Sequence, residues 1–395
     1  MPGSLILGGA RTPIGKLAGG LSSLSAVELG GMAVSAALAR AGVDPAIVDY
    51  VFLGHVLQAG QGQITARQAA ARGGVPMTTP ATTVNKVCLS GLNAIYLADR
   101  MIAAGDASIV VAGGMESMSG APHLLPGVRS GWRLGDATAV DSMLHDGLFC
   151  AFDECAMGAG TERYAGDAGL SRDRQDAFAA GSHERAAKAT AAGVLAEEIV
   201  PVPVPQRRGD PVVVGTDEGV RADTTSESLA GLRPAFAADG TITAGNASQI
   251  SDGAAAVVLA SRAAADRLGL AALGEVVSYG QVAGPDASLL HQPSRAALQA
   301  LGKAGLDVGD TDLFEINEAF AAVALASMDE LGIDDRVTNV NGGAIALGHP
   351  IGMSGTRLAL TLLLELRRRG SGLGVAALCG GGGQGDALVL RTSDR

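Results

Sequence analysis

The sequence predicts an α/β protein built from two similar halves. Strand-like apolar runs alternate with helical patterns near both ends of the chain, and a less regular segment lies between them. The loop NKVCLSG (85–91) precedes a helical pattern and the apolar run SIVVAGG (108–114). In the same way, GHPIGMSG (348–355) precedes a helical pattern and LGVAALCG (373–380). Each unit has a loop ending in Ser-Gly, a helix and a valine-containing strand, so the chain carries a weak internal repeat.

The first half reads as β-α-β units. Residues 4–10 predict a buried strand, 28–42 a helix that ends at Gly42, and 49–57 and 108–114 two further strands. Continuous apolar runs of this kind are typical of strands that are covered on both faces.

The rest of the chain changes character and then returns to this pattern. From about 121 to 250 the sequence is irregular and partly proline-rich, and 241–261 predicts a helix followed by a strand. Residues 294–304 predict a helix, 312–316 a strand and 317–331 another helix.

Composition limits the possible partners and compartments. The chain of 395 residues has 29 basic and 40 acidic side chains, a net charge of −11. We therefore expect no nucleic-acid partner, because a phosphate backbone requires a basic face. Four cysteines are too few for a disulfide scaffold, and the N-terminus lacks a signal pattern. With no apolar run near the roughly 18 residues of a membrane span, we expect a cytoplasmic protein without membrane contact.

Cys88 lies where a polar loop meets a helical pattern. A helix N-terminus presents free N–H groups, which would lower the pKa of a thiol there, and Lys86 could add positive charge. These features predict a nucleophile. The alternative is a small side chain that merely packs in the core.

Two further loops carry groups that could work with such a thiol. His349 lies between Gly348 and Pro350 and could be the base, although a lone histidine is more often structural. Cys379 ends an apolar strand before a glycine-rich run that could aim backbone N–H groups at a substrate oxygen, or simply form a tight turn. Asn317 could cap a helix or orient a water molecule.

No metal site is predicted. Cys150, Cys155 and His145 are near one another in sequence, but their spacing matches no common zinc pattern.

Taken in order, NKVCLSG, NEAF (317–320), GHPIGMSG and CGGGGQG (379–385) resemble the motifs of the thiolase superfamily. The resemblance also includes ARTPIGK (10–16), GGMESMS (113–119), RPAF (233–236) and TAGNASQISDGAAA (243–256). It implies two βαβαβαββ halves in a five-layered αβαβα core with an inserted loop domain. The implied boundaries are 1–120 with 250–271, 121–249 for the loop domain, and 272–395.

The resemblance also assigns roles to the candidate residues. Cys88 would take the acyl group as a thioester, His349 would deprotonate Cys88, and Cys379 would remove a proton from the second substrate. Asn317 would position a water and, with His349, form one oxyanion hole. The backbone N–H groups of Cys88 and Gly381 would form the other.

Coenzyme A thioesters are the implied substrates, with no tightly bound cofactor and a homotetramer as the assembly. Arg221 would contact the adenine side and Ser248 the pantetheine, while Arg207 and Arg208 could bind phosphates or remain solvated. The residues implied for the pantetheine tunnel are Met157, Ala235, Phe236, Ala244, Ala319 and Phe320.

The implied activity is the reversible condensation of two acetyl-CoA molecules to acetoacetyl-CoA. One alternative is a 3-ketoacyl-CoA thiolase of β-oxidation with broader chain length, which Ala156 favours because many short-chain members have histidine there. Another is a catalytically silent CoA-binding subunit, which the intact Cys88, Asn317, His349 and Cys379 disfavour. If Cys88 and Cys379 meet in one site, they could also form a reversible disulfide.

Overall fold

The protein is described by a computed structural model that covers residues 3–392. The first half begins with a buried strand and reaches the edge of the insertion at residue 117. Its elements are β1 (Leu5–Arg11), β2 (Gly15–Lys16), α1 (Ala26–Ala41), β3 (Tyr50–Gly54), α2 (Thr65–Arg72), β4 (Ala81–Val84), α3 (Ser90–Ala104) and β5 (Ile109–Ser117).

The insertion consists of short strands and three helices, after which the chain returns to the first half. The insertion contains β6 (His123–Leu124), β7 (Val140–Asp141), β8 (Phe149–Cys150), β9 (Cys155–Ala156), α4 (Met157–Asp167), α5 (Arg172–Ala191), β10 (Val202–Val204), β11 (Val212–Val214) and α6 (Ser226–Ala230). Strand β12 (Ser251–Ala260) and helix α7 (Arg262–Leu268) follow.

The second half repeats the order of the first. It contains β13 (Gly274–Ala283), α8 (Gln292–Ala304), β14 (Leu313–Ile316), α9 (Ala321–Leu331), α10 (Ala344–Leu347), α11 (Ser354–Arg368), β15 (Gly372–Gly380) and β16 (Gln384–Thr392).

Strand order confirms the two predicted halves. The first half runs β4-β3-β5-β12-β1, and the second runs β14-β15-β16-β13. The first half begins with two parallel pairings, β4–β3 and β3–β5, and the second half begins with one, β14–β15. Two antiparallel pairings follow in each half. The counterpart of β4 in the second half is a single parallel bridge between Phe314 and Thr338. The two half-sheets join where Leu5 and Ile6 of β1 pair with Glu275 and Gly274 of β13.

Side-chain alternation along the strands produces the layers. Val257 and Leu259 of β12 pack in one core together with Leu388 and Leu390 of β16. Helices α3 and α11 contribute to the same core, for example through Ile95 and Leu360, and so lie between the two half-sheets. The other faces of the half-sheets pack against α1 and α2 on one side and against α8 and α9 on the other. This arrangement is the predicted five-layered αβαβα core.

Helix α1 shows how local sequence sets element boundaries. Ser25 and Glu28 form a reciprocal capping box at its start, and Gly42 adopts a left-handed conformation with φ of 66° at its end. The predicted end at Gly42 is therefore correct.

Three local predictions were wrong. Residues 241–250 form no helix and lead directly into β12. The insertion is less irregular than expected, because α5 is a regular helix of 20 residues. Helix α9 begins after Phe320, so Asn317 does not cap it and is left available for the site.

The expectation that no apolar run approaches the length of a membrane span was wrong for one segment. Residues Val87–Ala104 have the length and a mean hydropathy of 1.2 that suffice for a membrane span by composition alone. Most of this segment is α3, and its apolar side chains, including Leu92, Ile95 and Ile102, pack in the central core. Its hydropathy is thus explained by contacts with both half-sheets.

Candidate active site

Cys88 lies on a sharp turn between β4 and α3. The residue before it, Val87, has a positive φ of 50°, which is rare for a β-branched side chain. Ser90 stabilises the turn, because its Oγ accepts from the Lys86 N–H at 2.8 Å and donates to the Val87 carbonyl at 2.6 Å. A backbone held in this conformation directs the Cys88 side chain away from the sheet and towards the second half.

The protonation of Cys88 differs from the sequence prediction. Burial, with a smaller contribution from the charge of Glu116, raises the pKa of the thiol to about 12. Hydrogen bonds from the backbone N–H groups of Cys88 and Gly381 lower the pKa by less than burial raises it. Cys88 is therefore a thiol at rest and would need a base to act as a nucleophile, because desolvation outweighs the effect of the helix N-terminus.

Lys86 does not supply the positive charge that was considered. Its ammonium forms an ion pair with Asp386 of β16, with Nζ to Oδ1 at 2.7 Å and to Oδ2 at 3.0 Å. The Asp386 side chain is fully buried. This pair joins the Cys88 turn to the opposite half and leaves activation of the thiol to another group.

His349 is neutral, which is the protonation state that a general base requires. Its Nδ1 lies 2.6 Å from Ser354 Oγ, and that hydroxyl donates to the Pro350 carbonyl at 2.9 Å. The hydroxyl proton is thus engaged, so Nδ1–H donates to Ser354 and Nε2 carries the free lone pair. Burial, with a smaller contribution from the charge of Arg357, lowers the pKa of His349 to about 3. A neutral imidazole with an available Nε2 results.

Asn317 lies beside this lone pair. Its Nδ2 is 3.4 Å from His349 Nε2, and its Oδ1 is buried without a hydrogen-bond partner among the described residues. The side chain is fully buried. A buried amide oxygen without a partner costs stability unless a polar group meets it, so its position suits an orienting role in the site.

Cys379 lies at the end of β15 and is buried. Burial raises its pKa, and a thiolate at Cys88 would raise it further. The second effect requires the two thiols to be close. The structure therefore places Cys88 beside Cys379 and Gly381, and His349 beside Asn317, although the sequence has these residues in four separate motifs.

A cavity of about 510 Å³ leads to His349. Six of the eight residues predicted to contact coenzyme A line it: Met157, Ala235, Phe236, Ala244, Ser248 and Phe320. Ala156 lines it too. Phe236 and Phe320 meet edge to face at 6.4 Å between ring centroids. A Cβ atom on Gly158 would lie 2.1 Å from the Phe236 ring, so a larger residue at 158 would displace this ring from the cavity wall.

One wall of the cavity adjoins Cys88. Met118 and Ile351 line the cavity and form an apolar cluster with Val56 and Leu57, and Cys88 packs against this cluster. Cys88 therefore lies behind the wall that Met118 and Ile351 form.

Four of the residues considered for coenzyme A lie elsewhere. Ala319 is buried beside the cavity, where its carbonyl accepts from the Ser248 N–H at 3.0 Å. Arg221 is exposed, and its N–H donates to His183 Nδ1 at 3.2 Å. Arg207 and Arg208 are exposed between β10 and β11. Contacts between these arginines and coenzyme A remain predictions.

Glu116 is not among the predicted site residues, although it lies in the motif GGMESMS (113–119). One carboxylate oxygen of Glu116 accepts from the N–H groups of Val56 at 3.1 Å and Gly352 at 3.0 Å, and the other accepts from Leu57 at 3.0 Å. The side chain is fully buried, and burial raises its pKa to about 7. Glu116 therefore connects a loop of the first half to the loop that carries His349.

Within residues 3–392, no group of three or more His, Cys, Asp and Glu side chains is arranged to hold a metal ion.

Comparison with known proteins identifies one family over almost the whole chain. The thiolase N-terminal domain matches residues 4–263, and the thiolase C-terminal domain matches residues 270–392. A probable acetyl-CoA acetyltransferase of Mycolicibacterium smegmatis is 57% identical over 98% of this chain and 100% of its own length. Acetyl-CoA acetyltransferases of Cupriavidus necator and Pseudomonas aeruginosa are 52% and 51% identical, each over 98% of both chains. The chain belongs to the thiolase family.

Proposed function

We propose that the protein is an acetyl-CoA C-acetyltransferase, which condenses two acetyl-CoA molecules to acetoacetyl-CoA and CoA and also catalyses the reverse thiolysis. The observation that carries this proposal is that Cys88, with Cys379 and two backbone N–H donors beside it, packs against the apolar cluster at the wall of a cavity that the neutral His349 also lines. The names of the similar proteins support the same activity.

In the first half-reaction, His349 Nε2 takes the proton of Cys88, and the resulting thiolate attacks the thioester carbonyl of acetyl-CoA. The developing oxyanion accepts hydrogen bonds from the N–H groups of Cys88 and Gly381, which already point at the sulfur. The carbon–sulfur bond to CoA breaks, and Cys379 protonates the departing CoA sulfur. Cys88 then carries the acetyl group.

In the second half-reaction, the Cys379 thiolate removes a methyl proton from a second acetyl-CoA. Acylation of Cys88 has removed the negative charge that would raise the pKa of Cys379, so this thiolate is formed more easily. The protonated His349 and Asn317 stabilise the enolate oxygen. The carbanion attacks the Cys88 thioester, acetoacetyl-CoA forms, and Cys88 recovers its proton from His349.

These steps use coenzyme A thioesters as substrates and no resident cofactor, because the named side chains account for every proton. The test is CoA-dependent cleavage of acetoacetyl-CoA by the purified protein, together with mass spectrometry of the enzyme after incubation with acetyl-CoA. An acetyl group on Cys88 and turnover in both directions are expected. Absence of both would overturn the proposal.

A broader 3-ketoacyl-CoA thiolase is a second candidate, which Ala156 favours. This small side chain lines the cavity where many short-chain members have histidine, so it leaves more room beside the pantetheine end. Comparing kcat/KM for 3-ketoacyl-CoA chains of four and eight carbons separates the two candidates. A preference for the longer chain supports this second candidate.

We further propose a homotetramer in the cytoplasm. Exposed apolar side chains in the insertion, including Leu125, Trp132 and Leu134, support self-association. The four free cysteines suit a reducing compartment. Light scattering should give four times the chain mass, and a monomeric mass would contradict the assembly.

A further inference from the structure

The hairpin formed by β8 and β9 contains two of the four cysteines. In this antiparallel pair, Phe149 lies opposite Ala156, and Cys150 lies opposite Cys155. Four residues, 151–154, connect the strands. Both thiols are free in the structure, and neither takes part in the proposed reaction.

The pairing gives these cysteines the separation that a disulfide needs. Directly opposite residues of an antiparallel pair have Cα atoms about 4.5 to 5.5 Å apart. Disulfides usually span Cα distances of about 4.4 to 6.8 Å. A bond between Cys150 and Cys155 can therefore form within the existing strand pairing.

The two thiols differ in access. Cys155 is partly exposed, and Arg163 Nη2 lies 3.7 Å from its sulfur. Cys150 is buried, with 4% of its surface exposed, and its sulfur accepts from the Asp153 N–H at 3.4 Å. A small oxidant would thus reach Cys155 first, with Cys150 placed behind it to complete the bond.

The hairpin also lies between two parts of the active site. It runs directly into Ala156, Met157 and Gly158, which line the cavity. At its tip, the Phe152 ring approaches Gly382 so closely that a Cβ atom there would lie 2.8 Å from the ring. A covalent bond across the hairpin would therefore fix a segment that contacts both the cavity and the glycine loop.

We propose that Cys150 and Cys155 form a reversible dithiol–disulfide pair that is oxidised by hydroperoxides. The sulfur of Cys155 attacks the peroxide, the O–O bond breaks, and a sulfenic acid forms with release of water or an alcohol. The sulfur of Cys150 then attacks the sulfenic sulfur, the S–S bond forms, and a second water leaves. Two thiols lose two electrons in total, and the peroxide gains them. A dithiol reductant reverses the change by exchange.

The disulfide should preserve the cavity. Because the strands are already paired in the required register, oxidation would hold the wall in its present conformation and reduce its freedom before binding. Affinity for CoA is therefore expected to be unchanged to roughly fivefold tighter.

The test uses full-length protein in which Cys88→Ala and Cys379→Ala leave only the two hairpin thiols. After hydrogen peroxide, thiol titration should fall from two per chain to none, and peptide mapping should find Cys150 linked to Cys155 within one chain. Dithiothreitol should restore both thiols. Persistence of both thiols, a link between chains, or sulfinic acid in place of the disulfide would overturn the proposal.

A matched variant separates pairing from simple oxidation. With Cys150→Ser added to the same background, Cys155 should form a sulfenic acid that dimedone traps, because no second thiol is present. Calorimetric titration with CoA then compares the oxidised and reduced parent. A loss of affinity beyond about tenfold would show that the strands must separate, contrary to the proposal. None of these readouts requires turnover, so they stand or fall independently of the proposed function.

Discussion

The two central helices begin in the same way and carry different chemistry. Helix α3 starts with Ser90 and Gly91, and α11 starts with Ser354 and Gly355. Ser90 Oγ binds the backbone of its own turn, accepting from the Lys86 N–H and donating to the Val87 carbonyl. Ser354 Oγ instead accepts from the His349 imidazole and donates to the Pro350 carbonyl.

This difference shows how two similar halves can divide a reaction. In the first half the serine supports a backbone conformation that presents a thiol. In the second half the equivalent serine fixes the tautomer of a base. Because α3 and α11 pack side by side between the half-sheets, the turn with Cys88 and the loop with His349 both reach the apolar cluster at the cavity wall.

The largest effect is expected from Cys88→Ser. This variant tests whether the first half alone provides the nucleophile. Activity should fall about 10⁴-fold or more, since a hydroxyl is a much weaker nucleophile and removal of a member of a catalytic unit costs this much. The measurement is kcat/KM for thiolysis of acetoacetyl-CoA.

Cys150→Ser is the control, because that thiol takes no part in the proposed steps, and it should retain full activity. If the Cys88→Ser variant became acetylated on Cys379 and kept a tenth of its activity, the halves would be interchangeable and the assigned roles would be wrong.

Glu116 tests a contact that joins the two halves, because its carboxylate accepts from backbone N–H groups of both. Its pKa is raised from 4.5 to about 7, so the folded state binds the proton more tightly than the unfolded state. Its contribution to stability is thus fully present below pH 4.5 and is lost as the pH rises to about 7, by roughly 3 kcal/mol. Glu116→Gln should remove this loss, which urea unfolding at about pH 5 and pH 8 would measure.

Glu28 provides a control of opposite sign. Hydrogen bonds from the Ser25 cap lower its pKa, so its contribution is lost as the pH falls. Glu28→Gln should therefore change the pH dependence in the other direction. Equal pH dependence in the wild type and Glu116→Gln would show that Glu116 does not titrate as described.

The sequence predicted elements whose signals are local. The strand at 4–10 and the helix end at Gly42 follow from apolar runs and a glycine cap. The pKa of Cys88 could not be predicted in this way, because burial by distant segments outweighs the adjacent helix start. Glu116 was missed for a related reason: its partners at residues 56, 57 and 352 come together only in the folded chain.

Ser354→Ala tests the role of the serine in the second half. Loss of the hydroxyl leaves Nδ1–H of His349 without its acceptor, which costs about 1–3 kcal/mol and corresponds to a loss of roughly 5- to 150-fold in kcat. KM for acetoacetyl-CoA should change little, and iodoacetamide should alkylate Cys88 more slowly.

Ser354→Thr keeps the hydroxyl and should restore most of the rate. Ser90→Ala should instead lower the melting temperature, because its hydroxyl binds only backbone. If Ser354→Ala and Ser354→Thr lost the same amount of kcat, the loss would be due to altered packing and not to the missing hydrogen bond of the His349 imidazole.

The smallest effects concern the glycines that let the two helices approach each other. A Cβ atom on Gly355 would lie 2.4 Å from the backbone nitrogen of Leu92, and one on Gly91 would lie 2.8 Å from Thr356 Oγ1. Gly355→Ala should destabilise the protein by about 1–3 kcal/mol, and Gly91→Ala by less, because the nearest backbone atom to its added methyl group, the Gly352 carbonyl oxygen, is farther away at 2.9 Å.

Gly302→Ala in α8 provides the matched control for these two variants, since nothing lies within 4 Å of its added methyl group. It should stabilise the protein by up to about 1 kcal/mol, because alanine favours the helix more than glycine does. Urea unfolding of the three variants gives the comparison. If Gly355→Ala were as stable as Gly302→Ala, close packing of α3 on α11 would not be what requires the Ser-Gly sequence at both helix starts.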